Sequence, residues 1–178
     1  ISIDNLIIDN CVITNQGSDN YACFYWNNAA YSIANFIMSN TTVNTALHNV
    51  MDFRSSNTTN IEIENCTFYN TRSGAIIVAP CHKEAKWGYV FRDCTIDGNE
   101  AAANVKKWGV KLGRPWHNSP KTVYIHTTMN IPISPEGWAN MGAIPTLFAE
   151  YNSRDAAGNV LQLDQRKTEY EGRGENAP

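Results

Sequence analysis

The chemically informative residues of this sequence begin with its cations. Residues 83–121 hold eight of the 14 basic side chains (Lys83, Lys86, Arg92, Lys106, Lys107, Lys111, Arg114, Lys121) against four acidic ones (Glu84, Asp93, Asp97, Glu100). That is a local charge of +4 on a chain whose net charge is −3, so the remainder carries −7. Such a segment suits a polyanion held at one place; the competing reading is a solvated face of unpaired lysines. Inside it stands the sharpest local motif, Leu112-Gly-Arg-Pro-Trp116, with a guanidinium two residues from an indole. Five cysteines (Cys11, Cys23, Cys66, Cys81, Cys94) leave at least one unpaired, and none forms a CxxC. His82 beside Cys81 lacks the second ligand pair that a zinc site needs, so no metal and no cofactor is expected.

The elements that must position these side chains are strands. Asn5-Leu-Ile-Ile-Asp-Asn-Cys-Val-Ile-Thr-Asn15 is echoed at Asn35–Thr45, Asn60–Asn70 and Gly88–Gly98, and more loosely at Val123–Met129. Each copy has an apolar-biased strand, an Asn or Asp, a Cys or Thr, and a second short strand. The Cys/Thr positions 11, 41, 66, 94 and 128 are separated by 30, 25, 28 and 34 residues. Period-two alternation and richness in Ile, Val, Phe, Tyr and Thr mark half-buried strands. Units of this length predict a solenoid whose coils stack at the ordinary strand spacing of about 4.8 Å. Equivalent positions then form ladders, Cys and Thr inward as small buried groups and Asn at corners where it tolerates left-handed backbone angles. The irregular period favours a parallel β-helix, which accepts loops at its corners, over a leucine-rich or tetratricopeptide array; a β-sandwich is the rival fold.

Composition agrees with a packed β domain. Hydrophobic residues make up 43 % and charged ones 17 % of the 178 residues, which excludes a disordered tail or a charged helical rod. No apolar run approaches the roughly 20 residues of a helical membrane span. The basic segment has no recognised nucleic-acid-binding pattern around it. The repeats place the helix in residues 1–163, with a polar C-terminal tail over 164–178. Ile1 enters a strand almost at once, without a signal-peptide pattern, so an all-β solenoid incomplete at its N-terminus is expected: a processed protein or an excised piece.

Leu112–Trp116 is followed by Ser119, Val123–Met129, Ile133-Ser-Pro-Glu-Gly-Trp138 and Ala149-Glu-Tyr151. That ordered set resembles the C-terminal part of the pectin methylesterases. Gly74–Pro80 and Gly88–Cys94 fit most closely the gut-bacterial type. The resemblance covers residues 74–168 well and 1–73 weakly. It implies a right-handed parallel β-helix and a carbohydrate esterase that removes methyl groups from the homogalacturonan of pectin. It also implies an extracellular or periplasmic site. By this resemblance Arg114 orients the nucleophile, Trp116 is a sugar platform that Trp138 extends, and Ser119 is a polar substrate contact. Asp52, in His48-Asn-Val-Met-Asp-Phe53, stands for the family's nucleophile.

The chain departs from the family at two places. The glycines and the apolar flank around the nucleophile are not retained. The acid/base aspartate, carried by the family in a Gln-Asp-Thr-Leu segment one coil earlier, falls near Trp26-Asn27-Asn28, where no Gln-Asp occurs. Asn27 there can only donate to an oxyanion, and His48 is the alternative proton carrier. Two other functions therefore compete: a pectin-binding β-helix without catalysis, and, less well supported, a polysaccharide lyase or hydrolase. The last two lack the clustered or facing carboxylates that their chemistry requires.

Overall fold

A computed structural model describes residues 2–17, 22–26, 32–53, 60–81, 88–117 and 119–172. Every pairing between its named strands is parallel and joins one coil to the next. The first sheet runs β1 (Ser2–Asp9), β4 (Ser32–Ser39), β7 (Ile61–Glu64), β10 (Tyr89–Arg92), β13 (Lys121–Ile125), β15 (Leu147–Tyr151). The second runs β2 (Val12–Asn15), β5 (Thr42–Thr45), β8 (Thr67–Asn70), β11 (Thr95–Gly98), β14 (Thr128–Met129), β16 (Arg154–Asp155). The third holds β3 (Ala22–Trp26), β6 (Asn49–Phe53), β9 (Ile76–Val78) and β12 (Lys111–Gly113), and Trp138 bridges to Gly113 at its end. The first four coils visit the three sheets in turn, and this is the expected right-handed parallel β-helix and not a sandwich.

The corners repeat one backbone device. Asn10, Asn40, Asn65, Asp93, His126 and Asn152 all have φ between 49° and 54°. Asn and Asp reach this left-handed region at low cost because their side chains bond locally. The side chains then climb from coil to coil: Asn40 Nδ2 donates to Asp9 Oδ1 and Asn65 Nδ2 to Asn40 Oδ1, each at 2.8 Å. The next residue turns back toward the body. Thr41 Oγ1 donates to the Ser39 carbonyl at 2.7 Å, and the thiols of Cys66 and Cys94 do the same two residues back at 3.3 Å. Cys66 and Cys94 are buried and Cys11 is exposed, and all five cysteines are free thiols. Burial pushes the Cys94 thiol up to about 12.

One repeat position needs correction. Thr95 pairs with Thr128, so Thr127, not Thr128, continues the column of Cys94; Ser153 follows it on the next coil. Both Thr127 and Ser153 are fully buried. Two adjacent threonines conceal this one-residue difference in the sequence.

The core is an aromatic ladder. Phe36 meets Phe53 at 5.0 Å, Tyr89 lies 6.3 Å from Phe91, and Phe91 stacks on Tyr124 at 4.4 Å and 9°. Such pairs add about 0.5–1.5 kcal/mol each beyond the area they bury. Of the polar segment after residue 163, residues 164–172 are described. Arg166 Nε donates to Glu150 Oε1 at 2.6 Å and its Nη1 to the Pro135 carbonyl at 2.8 Å. Tyr170 packs edge-on against Phe148.

Candidate active site

Register on the third sheet decides which residues meet. Tyr25 pairs with Asp52, and Met51 pairs with Val78, which pairs with Gly113. The Ala79 N–H donates to the Met51 carbonyl and the Arg114 N–H to the Val78 carbonyl, so the ladder continues one residue further. Tyr25, Asp52, Ala79 and Arg114 thus form one column across four coils. Three strand spacings separate its ends, about 14 Å, and two separate Asp52 from Arg114, about 10 Å. The residue between them is alanine, so no bulky side chain intervenes. Arg114 does reach back across β9: its Nη2 donates to Asn49 Oδ1, on β6, at 3.1 Å.

Phe24 and Phe53 flank the column residues and turn inward, both meeting Phe36, at 5.9 Å and 5.0 Å. Strand alternation therefore directs Tyr25 and Asp52 to the outer face. Asp52 is nevertheless only 2 % exposed, whereas Tyr25 is 37 % exposed. A carboxylate this deep demands charge or hydrogen-bond compensation, and the invariant charge of a guanidinium suits that role.

His48 precedes this strand and is half-buried. Desolvation first, then the charges of Arg114 and Arg72, lower its pKa to about 4. The ring is therefore neutral near pH 7 and faces the same cationic neighbourhood as Asn49. Trp116 continues the Arg114 segment, half-buried, with its N–H donating to the Pro80 carbonyl at 3.1 Å and its indole against His117 at 4.8 Å. Ser119 is exposed, and its carbonyl accepts from Thr146 Oγ1 at 2.9 Å. Lys106 and Lys107 of the basic segment are exposed, beside Trp108, whose indole is 67 % exposed.

The expectation for Trp138 does not survive its burial. It is 2 % exposed, stacked on Phe148 at 4.5 Å and tilted against Tyr124 at 5.9 Å. Its faces are taken up inside the helix, so it closes the core and offers no platform to a sugar. Gly113 leaves room beneath it: a Cβ there would lie 3.2 Å from both Trp138 and Val78, a tight contact. Asn27 lies outside the described residues. No motif in the sequence marks Tyr25; only the pairing of β3 with β6 sets its height. Among the described residues no group of three His, Cys, Asp or Glu side chains is placed to hold a metal ion.

A parallel β-helix with an acid and a guanidinium sharing one column on one sheet face belongs to the class of β-helical proteins whose site is assembled from several coils. Within that class the chain is a member of the pectinesterase family, whose model matches residues 11–169. It is 36 % identical over 79 residues to probable pectinesterase/pectinesterase inhibitor 13 of Arabidopsis thaliana, covering 41 % of this chain and 13 % of that protein. It is 32 % identical over 91 residues to pectinesterase 2 of Olea europaea, covering 48 % and 22 %. The chain thus spans less than a quarter of these plant relatives. Among solved structures, the pectin methylesterase of Aspergillus niger superposes with a TM-score of 0.63 at 17 % identity, over 92 % of this chain and 60 % of that one. The rice weevil pectin methyl esterase gives 0.60 at 17 %, over 86 % and 57 %.

Proposed function

We propose that this protein hydrolyses the methyl esters of pectin, with Asp52 as nucleophile and Arg114 as the cation that orients it. The observation that most supports this reading is the column that sets Arg114 two strands from Asp52, with only Ala79 between. In the proposed reaction Asp52 adds to the ester carbonyl. Arg114 holds the attacking carboxylate and offsets the negative charge that develops on the carbonyl oxygen. Trp116 packs on a pyranose ring, Ser119 contacts the sugar chain from the loop beyond it, and the exposed Lys106 and Lys107 favour a polyanionic substrate. An extracellular or periplasmic site follows from that substrate. The likeness of residues 74–94 to gut-bacterial members, and a position in the C-terminal part of the family's helix, belong to the same reading.

A second reading is favoured by one observation: the partner of Asp52 on the preceding coil is a tyrosine, not a second carboxylate. A pectin-binding β-helix without turnover would keep Trp116 and the lysines and need no acid/base group. Methanol release from methyl-esterified homogalacturonan separates the two. The esterase releases methanol and loses about 10²–10³-fold in rate on Arg114→Ala, the usual cost of removing a group that stabilises developing charge. Pectin binding with no methanol from the unchanged protein overturns the esterase reading in favour of the binding one.

A further inference from the structure

We infer that Tyr25 is the general acid and base of this site, the phenol standing where a carboxyl would otherwise serve. The assignment rests on the esterase reading above. Its ground is register: Tyr25 is the direct pairing partner of Asp52 on the adjacent strand, one strand spacing away and on the same outer face. Neighbours on the same strand turn away from that face, since the Phe24 ring packs against Phe36 in the core. Tyr25 is also the exposed member of the pair, and its side chain is longer than that of aspartate. A phenol on that face can reach further from the sheet than the buried Asp52 carboxylate. Among the described residues, the proton carrier His48 sits at the opposite end of β6, against the positive charges of Arg114 and Arg72, and Tyr89, whose hydroxyl accepts from the Phe53 N–H, is fully buried.

The chemistry balances with water as the only co-reactant. An Asp52 oxygen adds to the carbonyl carbon of the methyl ester. The tetrahedral intermediate collapses, the bond to the methoxy oxygen breaks, and that oxygen takes the phenolic proton and leaves as methanol. A phenol is a much stronger acid than methanol, so this transfer runs downhill. An anhydride between Asp52 and the uronate carbonyl remains, facing a phenolate. The phenolate takes a proton from water, the resulting hydroxide adds to the uronate carbonyl, and the bond to Asp52 breaks. Asp52 returns as a carboxylate, Tyr25 as a phenol, and the free uronic acid gives its proton to solvent.

Tyr25→Phe removes only the hydroxyl from an exposed ring, and circular dichroism checks that the variant remains folded. The expected result is a loss of about 10²–10⁴-fold in methanol release, the range general acid–base catalysis supplies, with pectin binding unchanged. A merely structural tyrosine would slow all substrates alike. The decisive comparison is therefore the first-turnover release of p-nitrophenol from a p-nitrophenyl ester of galacturonic acid, a leaving group that departs without a proton and before the step that uses the phenolate as base. The Tyr25→Phe deficit shrinks at least tenfold on that ester if the phenol protonates the leaving group. Methanol release within threefold of the unchanged protein, or an equal deficit on both esters, overturns the assignment and leaves the esterase reading standing. No methanol from the unchanged protein overturns both.

Discussion

A guanidinium stays charged at every pH at which this helix is folded, and at Arg114 that constancy shapes its neighbours. The His48 ring is already disfavoured as a cation by burial, and Arg114 and Arg72 disfavour it further, to a pKa of about 4. The unfolded chain, with His48 near 6.5, then binds more protons than the native one between about pH 4 and 6.5. Stability from this group is complete above that window and is lost as pH falls through it. His48→Gln should flatten the pH dependence of urea midpoints there, by on the order of 1 kcal/mol once solvent screening of a half-buried ring is discounted. An unchanged slope between those pH values counts against the cationic environment described. At the column itself, Asp52→Asn keeps the shape of the side chain but removes the charge on which the proposed nucleophilic role depends. Methanol release from that variant should fall below a thousandth of the original while pectin binding persists.

Elements here are short, and none would hold alone; each strand is fixed by the coil on either side. The corners therefore carry more of the specification than the strands. Asn65 holds φ of 51° and links to Asn40 at 2.8 Å. Asn65→Ala loses both the tolerated left-handed backbone and the amide bond, about 2 kcal/mol together, whereas Asn65→Gly loses only the bond, about 1 kcal/mol. Urea unfolding should rank the two in that order. Gly98 tests packing between coils, because a Cβ there would lie 2.4 Å from the Asn70 carbonyl oxygen and 2.8 Å from Ala102. Gly98→Ala should cost about 1–3 kcal/mol through a forced backbone shift, read as a lower Tm.

At the scale of the whole molecule, the segment after the last coil is held by several contacts, one of them a buried ion pair. The Glu150 side chain is 1 % exposed and Arg166 reaches it at 2.6 Å. Removing Arg166 strands a buried carboxylate, a change that typically costs 3–5 kcal/mol. Arg166→Ala should accordingly lower stability by about that much and raise amide exchange over residues 164–172 and β15. Protection unchanged in that segment would mean that Arg166 does not hold it. Phe148 lies between this segment and Trp138, with ring distances of 5.8 Å to Tyr170 and 4.5 Å to Trp138. The segment around Tyr170 and the end of the aromatic ladder are thus one packed unit.

Period-two alternation and the recurrence of Asn-Cys and Asn-Thr corners were enough to specify a parallel β-helix, because stacking at one strand spacing forces equivalent residues of successive coils into columns. The ordered segments from Leu112 to Tyr151 were enough to indicate the family for the same reason: they are local in sequence. What lay beyond local pattern was height and facing. The Thr127–Thr128 pair hid a one-residue shift, the indole of Trp138 read equally well as platform or core, and no motif marked Tyr25. Those questions turn on which coil lies beside which and on the side of the sheet to which a residue points. Only the completed ladder of hydrogen bonds decides them, since a single residue of slippage carries a side chain from groove to core.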